Sequence, residues 1–274
     1  MQEQSNHGHL PNRDRISTVS AAILLAYTLE RFISLPGREF SAQLPGFYFD
    51  INLNIQTLVA LLTAGLTASG ADWLLREHPF LKKQRTLEHW LLPAMTALVI
   101  AMPLFQIPRH PIWWFGFAVG GGLIILVIIA EYITINPQDP RYPLAAAGIT
   151  AISFALFLIL VTTLRLAETR LFLLLPAITI SSMLVSLRML RLRFHNRWLM
   201  VESFTIAMIT AQVAAGLHYF PLSPVAYGLA ILAPAYALIN FLVNLAQVES
   251  FLRVVLEPTL LLILIWMAAF LLRI

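Results

Sequence analysis

Ile112–Thr134 reads IWWFGFAVGGGLIILVIIAEYIT, an apolar run in which Glu131 is the only charged residue. As an α-helix at 1.5 Å per residue it extends roughly 34 Å, enough to cross a hydrocarbon core of about 30 Å. Eight further runs of this kind follow when apolar stretches are ended at charge or proline clusters. They are Ile16–Leu35, Ile51–Leu75, Glu88–Ile107, Pro143–Arg165, Leu171–Arg188, Trp198–Tyr219, Pro224–Gln247 and Val255–Arg273. The sequence therefore predicts an all-α polytopic membrane protein of about nine transmembrane helices. The weakest division lies between the last two runs, where Glu249, Arg253 and Glu257 are the only charges.

Composition agrees with this reading. Of 274 residues, 59% are hydrophobic and 12% charged, and the mean hydropathy is +0.78. Soluble domains average about 25% charged residues, so a water-soluble globule, a disordered chain and a nucleic-acid-binding domain are all disfavoured. With no cysteine there are no disulfides, thiol nucleophiles or thiolate metal sites.

Lys and Arg concentrate on the cytoplasmic side of polytopic proteins. With the N-terminus inside, Arg13, Arg15, Arg76, Lys82, Lys83, Arg85, Arg141, Arg188, Arg191, Arg193, Arg197 and Arg253 are cytoplasmic. Arg38, Arg109, Arg165, Arg170 and Arg273 fall outside, and Arg31 lies in the first span. This asymmetry predicts an N-in, C-out protein of the cell (plasma or inner) membrane. Residues 1–15 read as a disordered cytoplasmic tail and 16–274 as one transmembrane domain. The first run, broken by Glu30-Arg31 and lacking a small-residue cleavage site, reads as an uncleaved anchor.

One segment is not helix-like. In 38–54 the apolar residues alternate as Phe40, Ala42, Leu44 and then Phe47, Phe49, Ile51, Leu53, on either side of Pro45-Gly46. Period two around a turn signal predicts a β-hairpin, here on the extracytoplasmic face, either as a lid or as a structural cap.

Small residues recur at four-residue spacing in Ala60-Ala64-Ala68 and Gly116-Gly120, the pattern of close helix contacts in lipid. Leu91-Leu92-Pro93-Ala94-Met95-Thr96 recurs as Leu174-Leu175-Pro176-Ala177-Ile178-Thr179, and Pro258-Thr259 echoes both. Three helices per unit would make inverted repeats, as in many transporters; common residues recurring by composition is the plainer explanation.

Ionisable groups in a bilayer cost roughly 2.5–3.5 kcal/mol each and mark candidate sites. Glu30 and Arg31 lie near the outer end of the first span. Asp72, Glu131 and Glu202 are predicted in the cytoplasmic half, lining a cation or proton path or forming structural ion pairs. Asn240 and Asn244 stand one turn apart after Tyr236, with Gln212 as a plausible partner across helices. Arg188, Arg191, Arg193 and Arg197 form a candidate headgroup-binding run, or simply record topology. His218 reads as interfacial. Metalloprotease, hydrolase, P-loop and dinucleotide motifs are missing, so no catalytic residue, cofactor or metal is assigned. The residues favour a carrier or channel for a small solute or lipid. An accessory or scaffold subunit, partnered by another membrane protein or by itself, is the alternative, and an enzyme on a lipid-linked substrate trails both.

Overall fold

A computed structural model describes residues 13–32, 38–44, 47–53, 55–78, 81, 87–107, 110–194, 198–247 and 250–272. Over 30–31, 38–44, 47–53, 55 and 87–88 only the backbone is described. The elements run α1 (Arg13–Phe32), β1 (Arg38–Leu44), β2 (Phe47–Leu53), α2 (Ile55–Leu75), α3 (Leu87–Gln106), α4 (Ile112–Ile133), α5 (Tyr142–Leu166), α6 (Leu171–Arg193), α7 (Met200–Leu217), α8 (Pro224–Ala246) and α9 (Phe251–Leu271). Among the described residues, α2 to α9 are long and apolar enough to cross a membrane. The chain is a multi-pass membrane protein.

The helix outside that group is α1, not one of the final pair. Its charges sit at both ends, with Arg13, Asp14 and Arg15 at one and Glu30 and Arg31 at the other. The uncharged stretch Ile16–Leu29 extends about 21 Å as helix, short of a hydrocarbon core of about 30 Å. The final pair, by contrast, resolves into separate helices, α8 ending at Ala246 and α9 opening at Phe251. That start lies four residues before the expected Val255, so Arg253 falls in the first turn of α9.

The chain forms two compact units, 1–145 and 146–274. In the first, α1 packs on α2 and α4, α2 on α3, and α3 on α4. The core there gathers Ile23, Tyr27, Leu74, Ala97, Trp113 and Ile128. Helix α1 runs antiparallel to α2: Val19 meets Gly70, where a Cβ would clash with the valine side chain, and the Arg15 guanidinium sits over the Trp73 ring. Further along α1, Tyr27 donates its hydroxyl to the Ala97 carbonyl of α3. Between α1 and α2, β1 and β2 pair antiparallel with Arg38 opposite Leu53 and Leu44 opposite Phe47.

Helices α3 and α4 form an antiparallel hairpin with a simple register. Ile100 packs on Gly120 and Leu104 on Gly116, each pair equidistant from position 110. Gly120 is required by this approach, since a Cβ there would lie 2.5 Å from Ile100 Cγ2.

In the second unit α6, α7, α8 and α9 pack in sequence, with α6 also on α8. Helix α5 lies against α8 through Phe154 on Tyr236 and through Leu158 and Thr162 on Gly228. Ser223 caps α8 by accepting from the Ala226 N–H and donates its hydroxyl to the Leu272 carbonyl at 2.9 Å, joining the start of α8 to the end of α9. The Trp266 indole donates to the Ala230 carbonyl about two turns into α8.

Pro93, Pro176 and Pro258 each lie near the second turn of their helix. In the two echoing segments a threonine three residues on donates to an i−4 carbonyl, Thr96 to Leu92 and Thr179 to Leu175. Local structure therefore repeats with local sequence. The compact units nevertheless part within α5, a boundary that cuts through the middle triplet of the three-helix grouping.

Candidate functional site

Polar groups gather at one end of the first unit, where α1 begins, α2 ends, α3 begins and α4 ends. His89 Nδ1 and Glu131 Oε2 lie 2.7 Å apart, with side chains 8% and 0% exposed. The imidazole and the carboxyl group share this hydrogen bond. These residues, too, are equidistant from position 110, so the register that seats Ile100 on Gly120 also brings His89 to Glu131. A hydrogen bond with one ionised partner is roughly twice as strong as a neutral one. Burial raises the stakes, because an unpartnered charge would keep its full desolvation penalty.

Asp72 accepts from the Trp90 indole at 3.1 Å and from Arg76 Nε at 2.7 Å, Arg76 directly following the last residue of α2. Glu77 pairs with Arg15, whose Nη1 also donates to the Trp73 carbonyl. His78 sets its ring edge-on to Tyr132 at 4.6 Å. Each of the carboxylates Asp72, Glu77 and Glu131 thus meets a donor from its own unit.

The other expected residues are dispersed. Glu202 is half-buried in the first turn of α7, where the helix dipole favours a carboxylate. Gln212 is exposed on α7. Asn240 donates back to the Tyr236 carbonyl of its own helix, while Asn244 reaches Glu257 of α9 at 3.3 Å. Among the described residues no hydrogen bond links Gln212 to this stripe. The side chains of Glu30 and Arg31 lie outside the described residues.

The basic run sits differently from its expected loop. Helix α6 continues five residues past Arg188 to Arg193. Arg188 is 5% exposed, Arg191 lies over the Trp198 ring at 4.5 Å, and Arg193 is exposed. Arg197 lies outside the described residues. Among the described residues no three His, Asp or Glu side chains group as a metal site would require.

A second cluster lies at the α5–α6 and α7–α8 turns. Arg165 Nη1 points at His218 Nδ1 at 3.4 Å, and Nη2 donates to the Phe220 carbonyl at 3.4 Å. Its guanidinium also lies 4.9 Å from the Tyr227 ring centre. Arginine only donates, so His218 faces it with the Nδ1 lone pair and keeps its proton on Nε2. Burial, and then the adjacent guanidinium, hold the imidazole below its ordinary pKa. Both features describe a neutral histidine.

His89, Trp90, Glu77 and the Arg165–Arg170 pair are among the site residues that sequence reasoning missed. A signal for His89 existed: in an antiparallel helical hairpin, positions equidistant from the turn lie at the same depth, which matches it to Glu131.

No curated protein and no solved structure matches the chain. A family model described as "Protein of unknown function (DUF5656)" matches residues 35–272, from β1's approach to the end of α9, and the chain belongs to that family.

Proposed function

We propose that the protein is a carrier for a small solute or lipid, seated in the cell membrane with its N-terminus cytoplasmic. The observation that supports this is the His89–Glu131 pair. A titratable pair with no exposed carboxylate surface is costly for a passive anchor, whereas carriers use such groups to couple proton and substrate movements. In this reading α1 is a ninth span, packed through Arg15 and Val19 on α2 and through Tyr27 on α3. The paired strands β1 and β2 then cap the extracytoplasmic face, on the side opposite the dense cluster of Lys and Arg.

The test is solid-supported-membrane electrophysiology on proteoliposomes, with a panel of small organic anions and cations under imposed pH gradients. A carrier gives a saturable current for one chemical class, and Glu131→Gln removes it while the protein keeps its cooperative unfolding. Currents equal to those of protein-free liposomes across the panel sink the proposal.

A second reading, an accessory subunit bound to another membrane protein or to a second copy, has its own support. Gly65 and Gly122 have open space above them, which leaves room for a helix to approach closely. Gentle extraction followed by native mass spectrometry separates the readings. A stoichiometric protein partner favours the subunit, and a lone protomer carrying a small ligand favours the carrier.

A further inference from the structure

The turn from α5 to α6 is built under strain. Glu168 has φ of 50°, the left-handed region that L-residues other than Gly adopt at a cost of about 1–2 kcal/mol. The Thr169 N–H donates to the Leu164 carbonyl at 3.2 Å, and its hydroxyl reaches the same oxygen at 2.7 Å, so the helix closes in a tight C-terminal cap. The consequence is positional. Arg165, in the last turn of α5, and Arg170, immediately before α6, border one cavity of about 560 Å³ together with Glu168, Thr169, His218 and Tyr219.

The charges lining this cavity are unbalanced. Arg165 is held by a carbonyl, an imidazole and a ring face, none of them anionic. Among the described residues the Arg170 side chain forms no hydrogen bond or ion pair, although Glu168 is two residues away; its carbonyl accepts from the Leu173 and Leu174 N–H groups. Two guanidinium groups and an imidazole N–H therefore border a space with one exposed carboxylate. Arginine is suited to phosphate and carboxylate because its planar fork donates two parallel bonds. Tyr219 is 82% exposed and Phe220 48% exposed beside the opening, as expected where a helix bundle meets the headgroup layer.

We propose that the cavity between the α5–α6 and α7–α8 turns binds a phosphate- or carboxylate-type anion, with Arg165 and Arg170 as the principal contacts and His218 as a donor through Nε2. Two sources share this chemistry: a free anion from the aqueous side and the phosphate of an anionic lipid. The site is independent of the His89–Glu131 pair and stands whether or not the protein is a carrier.

The experiment uses the full chain in two arms. In uncharged detergent at low salt, isothermal calorimetry measures binding of inorganic phosphate. In nanodiscs of phosphatidylcholine with and without phosphatidylglycerol, native mass spectrometry counts retained phosphatidylglycerol. Saturable phosphate binding identifies a free-anion site, and retention of phosphatidylglycerol without phosphate binding identifies a headgroup site. In the arm that binds, Arg170→Gln weakens affinity about tenfold or more, and Arg165→Gln does the same. Glu168→Gln, which removes the opposing charge, strengthens it; a gain of affinity cannot come from misfolding. The proposal is overturned if neither probe binds saturably, or if Arg170→Gln and Glu168→Gln both bind as the wild type does.

Discussion

The two units place their most prominent charges differently. In the first, carboxylates are matched to donors, Glu131 to His89, Asp72 to Trp90 and Arg76, and Glu77 to Arg15. In the second, the cations Arg165 and Arg191 rest on the faces of Tyr227 and Trp198. A carboxylate–donor pair is self-contained and fixes one geometry. At Arg165 the ring, the imidazole and the Phe220 carbonyl carry no negative charge, so its guanidinium can still take an anionic acceptor. On this contrast the first unit gains stability from its polar groups, while the second retains an electrostatic demand that something anionic can meet.

The largest expected effect tests the self-contained end. His89→Ala leaves Glu131 buried without this donor and should lower stability by about 3–5 kcal/mol, read as a drop in thermal midpoint by tryptophan fluorimetry in micelles. The double change His89→Leu/Glu131→Leu should recover most of that loss. If the double variant is as unstable as the single one, the pair matters for its shape and not for its charge.

Next comes packing, where the comparison runs within one helix. Gly120→Ala must displace Ile100 and should cost about 1–3 kcal/mol. Gly122→Ala, with nothing within 4 Å of its Cβ, should be neutral or slightly stabilising in the same assay. Equal effects at the two positions would contradict the α3–α4 register.

A smaller effect probes the second unit. Tyr227→Phe removes the hydroxyl bond to the Ala214 carbonyl and should cost about 1 kcal/mol. The ring under Arg165 stays, so anion affinity should hold. The smallest effect is expected at Arg76→Ala. Its side chain is 68% exposed, and a solvated pair contributes less than about 1 kcal/mol; a larger loss would mean that Arg76, and not Trp90, holds Asp72 in place.

Much of the fold was legible because lipid imposes a single demand, length of apolar helix. The runs ending at Leu75, beginning at Leu171 and beginning at Pro224 match α2, α6 and α8 at those ends. Errors arose where charge was taken as a terminator. Arg188 through Arg193 continue α6, and Arg253 opens α9, because helical backbone tolerates arginine wherever a ring, a neighbouring helix or water receives the head group. The carboxylates Asp72 and Glu131 stood out in the sequence, but their partners did not. Trp90 and His89 look like ordinary residues at a helix start, and only the antiparallel register brings them to α2 and α4. The Arg165–Arg170 cavity was hidden for a related reason, since it depends on a left-handed glutamate that no pattern of residue types announces.

Helix α1 carries a consequence for how the protein is made. It is synthesised before α2 to α9, yet with charges at both ends it has the least to gain from lipid on its own. Its buried face, Val19, Ile23 and Tyr27, finds its partners only when α2, α3 and α4 have been synthesised. As a ninth span it would enter the bilayer late, held at the translocon until the helices behind it arrive. A nascent chain halted before α2 would then remain extractable by alkali, and one halted after α4 would not.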